Sequence, residues 1–428
     1  MIVRKIRPEE VKRTMELFAI SFEFANNIEK SAQEIYEEVS THPNDREDFY
    51  WQERWAAFED DDKTMMSYFI AQPFPIVFDG QTYDMRGIGG VATLPQYRKS
   101  GGIRKCFEAA LPDMYKTGAA FSYLYPFSSA YYRKFGYEMG CEKLQYHVNL
   151  AHIKPFSVSG KCFLAEPGNF MLEDIKTIYR TWQAKYNMMI ANEDYEYAWV
   201  EKSNPVRDQE FTYVYKSEDR QPMGYMTVKQ IVEADGRNVT CTRFCFTCPE
   251  GLKGLLNILI SLGTDHAYAT FEVPGDVDLT LLLPEWSMGA ISLRKIWNGM
   301  VRVVNVEKVL RGARYIGSGS VKIGIQDPQI AENNGVFEVT FEDGICKDIT
   351  ICGCKTCDGS EACGAGNACD GTDAQADITM TINEFSRLII GTCDVSSLAY
   401  MERVTVHNPS APLGQVFYKK PNMIVQFF

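Results

Sequence analysis

The chain has 428 residues, 45% of them hydrophobic and 23% charged, and a formal net charge of -12. This is the balance of a soluble globular protein too long for one ordinary core. The acidity argues against nucleic acid or an anionic membrane surface as the main partner, and without a run of about 18 apolar residues no membrane span is expected. The opening residues Met1-Ile2-Val3-Arg4-Lys5 carry charge where a secretory signal needs an apolar block. The thirteen cysteines are odd in number and many, such as Cys106, Cys141, Cys162, Cys241, Cys245 and Cys393, lie scattered in apolar sequence. Both features predict reduced thiols in a cytoplasmic setting.

In chain order, residues 1–150 alternate helical and extended patterns. Val11, Met15, Leu17, Phe18 and Phe22 predict a helix over 8–24, and Ala32, Ile35 and Val39 one over 29–39. Strands are predicted at 67–72, 75–78 and 86–93. The last of these runs through Val91-Ala92-Thr93 into Pro95-Gln96-Tyr97-Arg98-Lys99-Ser100-Gly101-Gly102-Ile103-Arg104. A helix follows over 103–116, kinked or ended by Pro112, then a buried strand over 119–125 closed by Pro126. A basic, glycine-bearing turn entering a helix offers unpaired N–H groups at the positive end of a dipole, with Arg98, Lys99 and Arg104 around them. That suits a phosphate-bearing ligand. Beyond it, Phe127-Ser128-Ser129-Ala130-Tyr131-Tyr132-Arg133-Lys134-Phe135-Gly136-Tyr137 predicts a short helix turning at Gly136, with Tyr131, Phe135 and Tyr137 as packing aromatics.

Residues 151–288 repeat the rhythm more faintly, with a helix at 172–187, strands near 211–216, 222–229 and 239–246, and a leucine-rich helix at 251–263. Cys248-Pro249-Glu250-Gly251-Leu252-Lys253-Gly254 sits where the first region has its glycine turn and lacks its arginines, which reads as a degenerate copy. Residues 289–428 change character at Ile291–Val306. Strands at 321–326 and 336–342 flank a connection ending in Asn333-Asn334-Gly335. Helices at 381–390 and 395–401 and a terminal strand at 423–428 complete an α+β layer.

Two motifs together, Val91-Ala92-Thr93-x-Pro95-x-x-Arg98-x-x-Gly101-x-x-Arg104 and Tyr132-x-x-Phe135-Gly136-Tyr137, resemble the acetyl-CoA site of GNAT N-acetyltransferases. Over its whole length the chain resembles the Eis (enhanced intracellular survival) family. The resemblance implies a mixed α/β and α+β chain: a catalytic GNAT domain at 1–150, a degenerate GNAT-like domain at 151–288, and a sterol-carrier-like domain at 289–428 opened by Met300-x-Arg302-Val303-Val304-x-Val306. Val91, Ala92 and Thr93 would pair with the pantetheine arm. Arg98, Lys99, Ser100, Gly101, Gly102, Ile103 and Arg104 would wrap the pyrophosphate, and Phe127 and Ser128 would line the other side. Ile103 stands where the superfamily often has Gly or Ala.

Transfer of acetyl to an amine needs a proton for the departing thiolate, and a phenol of pKa about 10 suits a thiol of about 8.5. Tyr132 is the expected general acid. In the family the base is the terminal carboxylate, here that of Phe428. The apolar end Met423–Phe428, with no charged side chain after Lys420, predicts a docked terminus.

The family further implies a primary amine of a cationic small molecule, aminoglycoside-like, or a lysine as acceptor, and a hexamer. Phe18, Phe22, Phe24, Phe49, Tyr50 and Trp51 are candidates for the acceptor pocket, or for core. The stretch 346–370 crowds Cys346, Cys352, Cys354, Cys357, Cys363 and Cys369 into glycine- and aspartate-rich sequence. It reads as a zinc site or as a hairpin tip. A different class of function also stays open: a lipid-binding protein using its third domain, with a vestigial first one.

Overall fold

The computed structural model describes residues 1–23, 34, 53–191, 197–233, 236–283, 286, 287, 289–352 and 376–428. The helix expected over 29–39, residue 34 aside, lies outside them, as do Phe24, Phe49, Tyr50 and Trp51. The chain forms two compact units, one of residues 1–140, 299–420 and 426–428, the other of 141–298 and 421–425.

In the first unit, β1 (Ile2–Lys5), α1 (Val11–Phe22), β2 (Arg54–Phe58), β3 (Met65–Phe78), β4 (Gln81–Thr93), α2 (Gly102–Lys116), β5 (Phe121–Leu124) and α3 (Ser129–Arg133) follow in order. The strands β1 to β4 pair antiparallel, and β4 pairs parallel with β5. The two strands expected at 67–72 and 75–78 are one. Pro73 and Pro75 pair opposite Arg86 and Asp84 but fall beyond the stretch of β3 that β2 covers, Met65–Ile70. Their missing N–H groups therefore break no ladder on that side.

The helix α2 buries Cys106, Phe107, Ala110, Leu111 and Met114, spaced by three and four residues. It runs on through Pro112 to Lys116, because buried apolar residues on either side hold it to the sheet. Phe107 sits at the centre of this core, stacked on Phe69 at 4.7 Å and on Phe135 at 4.4 Å.

The second unit contains most of β6 (Glu138–Asn149), then β7 (Lys161–Leu164), α4 (Leu172–Lys185), β8 (Glu210–Lys216), β9 (Pro222–Glu233), β10 (Gly236–Phe246), α5 (Pro249–Ser261) and β11 (Tyr268–Pro274). Its strand order is β6-β11-β10-β9-β8-β7. The pair β10 and β11 is parallel, with α5 between them, so this unit repeats the β4-α2-β5 arrangement of the first.

The chain then returns to the first unit. The end of β12 (Ile291–Val303) pairs antiparallel with β5, Met300 opposite Leu124 and Val303 opposite Phe121. After α6 (Val306–Gly312), a second sheet is built from β13 (Gly319–Gln326), β14 (Gly335–Glu342), β15 (Ile345–Cys352), β16 (Ile378–Thr381) and β17 (Thr405–Val406), in the order β15-β14-β13-β16-β17. It is covered by α7 (Ile382–Ile389), with α8 (Val395–Tyr400) following. The terminal strand expected at 423–428 does not form. Residues 423–428 make single contacts instead of a ladder, such as Met423 N–H to Asn187 C=O at 2.9 Å and Asn298 Nδ2 to Ile424 C=O at 2.6 Å.

A fully buried ion pair sits in the first unit. Arg302 Nη2 lies 2.8 and 3.0 Å from the two oxygens of Asp327, which also accepts from Asn333 Nδ2 at 2.8 Å. Both side chains of the pair are 0% exposed.

Candidate active site

Parallel pairing of β4 with β5 ends at Ile88 opposite Leu124, yet β4 runs on to Thr93. Pro126, which has no N–H to offer a ladder, follows β5 closely. The two strands thus part at Gly89. Just there β4 bulges: Tyr68 pairs with Ala92 and Ile70 with Gly89, so Gly90 and Val91 together face Phe69, and Gly90 has φ of +59°. Ala92 is buried, while Val91 and Thr93 are half-buried. Thr93 Oγ1 is tied to Ser67 Oγ at 3.0 Å. The β5-facing edge of residues 89–93 can accept an extended ligand as an added strand.

The turn after β4 carries Lys99 at φ +68° and Gly101 at φ +89°, both left-handed. The first hydrogen bond of α2 runs from Lys105 N–H to Gly101 C=O at 3.0 Å, so the N–H groups of Gly102, Ile103 and Arg104 emerge from the helix start. Gly102 has no alternative: a Cβ there would sit 2.6 Å from Ser67 Oγ. Arg98, Lys99, Ser100 and Arg104 are exposed. The Arg104 guanidinium folds back to 3.3 Å from where a Gly101 Cβ would lie. Ile103 departs from the common small residue because its side chain is buried in the core with Trp55, Ala57 and Phe69; only its backbone faces the turn.

Tyr132 lies on α3 and is 1% exposed. Its ring meets Phe107, Phe127, Tyr131 and Tyr137 edge-on at 5.3 to 6.4 Å. Burial, and then the neighbouring Tyr131 and Tyr137, push its phenol well above the ordinary tyrosine value, which makes it a weaker acid than the phenol of about 10 that the sequence leads one to expect. Tyr137 differs: its hydroxyl is bonded to Ser122 Oγ at 2.7 Å. Ser128 caps α3 by accepting Tyr131 N–H at 3.4 Å, and Phe127 is 73% exposed beside it.

Two residues far along the chain fix the turn behind Tyr132. Asn383 Nδ2 donates to Arg133 C=O at 3.0 Å and Tyr137 C=O at 2.9 Å. Arg302 Nη1 fills the space 1.8 Å from a would-be Cβ on Gly136, whose φ is +85°. The motif that contains Arg302 gives no sign of this contact, and nothing local in the sequence points to Asn383.

Phe428 places its terminal carbon 3.4 Å from a would-be Cβ on Gly89, where the strands part. Beside it opens a cavity of about 380 Å³ lined by Thr14, Met15 and Phe18 of α1, Arg54, Tyr68, Ile70 and Gln72, the glycines of β4, and Phe428 itself. Phe18 among the candidate aromatics lines it; Phe22 does not and is 52% exposed. Tyr68, Ile70 and Gln72 belong to no motif, and the signal that could place them here is their alternate spacing beside the motif strand, a period-2 face.

In the second unit the corresponding turn is closed by its own carboxylate. Glu250 Oε1 accepts from Ser159 Oγ at 2.7 Å and Tyr215 Oη at 2.8 Å, and from the N–H groups of Ser159 and Gly160, each at 3.3 Å. These bonds hold Glu250 below the usual carboxylate range. Of the cysteine cluster, Cys354, Cys357, Cys363 and Cys369 lie outside the described residues, as does the side chain of Cys352. Among the described residues no group of three His, Cys, Asp or Glu could hold a metal, and no helix is long and apolar enough to cross a membrane.

Residues 2–140 match the acetyltransferase (GNAT) domain family, and residues 306–424 the sterol carrier protein domain family. No curated protein matches the chain. Its fold is shared by solved structures, of which three follow. A conserved protein of unknown function from Enterococcus faecalis, a probable N-acyltransferase, has a TM-score of 0.79 at 22% identity, covering 100% of this chain and 99% of its own. A GCN5-related N-acetyltransferase from Anabaena variabilis scores 0.78 at 18%, with 100% of both chains covered. Eis1 from Mycobacterium abscessus scores 0.74 at 16%, again over 100% of both.

Proposed function

We propose that this chain, an N-acetyltransferase by its GNAT domain, transfers the acetyl group of acetyl-CoA to a primary amine of a cationic small molecule, aminoglycoside-like, or of a lysine side chain. The observation that carries the reading is the parting of β4 from β5 next to a helix start with bare N–H groups and three basic side chains. Residues 91–93 would pair with the pantetheine arm. The turn Arg98-Lys99-Ser100-Gly101-Gly102-Ile103-Arg104 would hold the pyrophosphate by backbone donors and cationic help, with Phe127 and Ser128 on the other side.

In the reaction the amine nitrogen attacks the thioester carbonyl; a C–N bond forms and the C–S bond breaks. The amine's proton passes to the Phe428 carboxylate, directly or through water. The thiolate takes its proton from Tyr132. The test is CoA release from acetyl-CoA across a panel of aminoglycosides, polyamines and lysine peptides. Release with none of them overturns the acceptor class. A thermal shift with acetyl-CoA is expected, and its absence would favour instead a lipid-binding role for residues 306–424, the sterol carrier match.

The same reading carries a domain division at 1–150, 151–288 and 289–428, a cytoplasmic setting supported by eight free cysteines among the described residues, and, on family resemblance, a homo-hexamer checked by light scattering. A zinc ion held by the cluster at 346–370 would be checked by elemental analysis of protein purified without added zinc.

A further inference from the structure

We infer that the aromatic ring of Phe428, and not its carboxylate alone, is a working part of the site: Gly87, Phe74 and Tyr125 form a seat that positions the terminal carboxylate. The inference rests on the proposed role of that carboxylate as base. Chain ends fray unless tied down, and a backbone carboxylate on the last residue has few anchors. Here they are visible. The Phe428 ring lies 4.7 Å from Phe74 and 5.3 Å from Tyr125, tilted against the first and edge-on to the second. Tyr125 Oη donates to the carbonyl of Gln426, two residues upstream, while the exposed ring of Phe427 lies over Tyr125 at 4.5 Å.

The floor of the seat is a missing side chain. A Cβ on Gly87 would lie 2.6 Å from the Phe428 ring and 2.6 Å from that of Phe74, so the two rings meet over a position that only glycine leaves open. Two residues further along β4, a Cβ on Gly89 would lie 3.4 and 3.6 Å from the terminal carbon and oxygen. Residues i and i+2 of a strand share a face. The ring over Gly87 therefore sets where the carboxylate falls over Gly89, on the wall of the acceptor cavity. Gly87, Phe74 and Tyr125 are positioning residues.

Phe428→Ala keeps a terminal carboxylate and removes only the ring. Its kcat is expected to fall by about 10–100-fold, the scale of a misplaced catalytic group, with KM for acetyl-CoA unchanged. Formate at high concentration should restore part of the loss, which a merely structural defect would not allow. Phe428→Tyr, which keeps a ring, should lose less, and Gly87→Ala should reproduce the loss by pushing the ring out. Wild-type kcat in Phe428→Ala, or a loss that formate does not touch, overturns the seat. Extending the chain past Phe428 tests the base itself: wild-type turnover in that variant overturns the role of the carboxylate, whatever Phe428→Ala shows.

Discussion

At the scale of single residues, Tyr132 is buried against Phe107 and its tyrosine neighbours, which raises its phenol above the ordinary value and makes it a weaker acid than a free phenol. Its proposed role as proton donor is tested directly. Tyr132→Phe should lower kcat by roughly 10²–10⁴-fold at unchanged melting temperature, measured by CoA release and a thermal melt; wild-type turnover would remove Tyr132 from the chemistry. Asp327 has the opposite character, structural and remote from solvent. Asp327→Ala leaves the Arg302 charge buried and unmatched, and should cost about 3–5 kcal/mol in urea unfolding, whereas Arg302→Met with Asp327→Leu should recover only part of it, because Asn333 Nδ2 and the N–H groups of Gln329 and Ile330 lose their acceptor. Residues of the first kind were legible because the motif around them is local. Arg302 and Asn383 were not, because they reach Gly136 and the carbonyls of Arg133 and Tyr137 across long stretches of chain that carry no shared pattern.

At the scale of elements, the turn into α2 is held left-handed at Gly101. Gly101→Ala should cost about 1–2 kcal/mol of strain and raise KM for acetyl-CoA, with the Cβ meeting only the movable end of Arg104. The turn from α3 into β6 depends on pH through Glu138. Burial pushes this carboxyl up, but its bonds from Arg133 at 2.7 and 2.9 Å and from Met139 N–H at 2.9 Å bring it below the usual range overall. A folded pKa below the unfolded value of about 4.3 means stability present above that pH and lost as pH falls through the folded value. Melting temperature should therefore drop on acidification below about pH 4. In Glu138→Gln it should be lower at neutral pH and fall less steeply on the same descent. Helices and motif strands were readable from periodicity. The fused β3 was not, because two prolines signal a break unless one knows that their N–H side is uncovered by β2, and the apolar end at 423–428 has a strand's composition without a partner strand.

At the scale of the whole molecule, the GNAT domain is not closed by its own contiguous sequence. Its β5 is covered by Met300–Val303 of β12, and Met300, Val304 and Ile330 lie in the same core as Phe107 and Tyr132. A fragment ending at residue 140 bares the edge of β5 and opens that core. It is expected to aggregate or to melt without a cooperative transition by circular dichroism; a fragment that melts cooperatively and binds acetyl-CoA would contradict this. Periodicity could place β12 as a strand but not beside β5, since pairing partners leave no trace in either segment alone. The β5–β12 pairing also sets a clock on biosynthesis. Ribosomes add about 5–20 residues per second, so an emerged β5 waits roughly 10–35 s for the strand that covers it, and during that interval its edge is open to pairing with other chains.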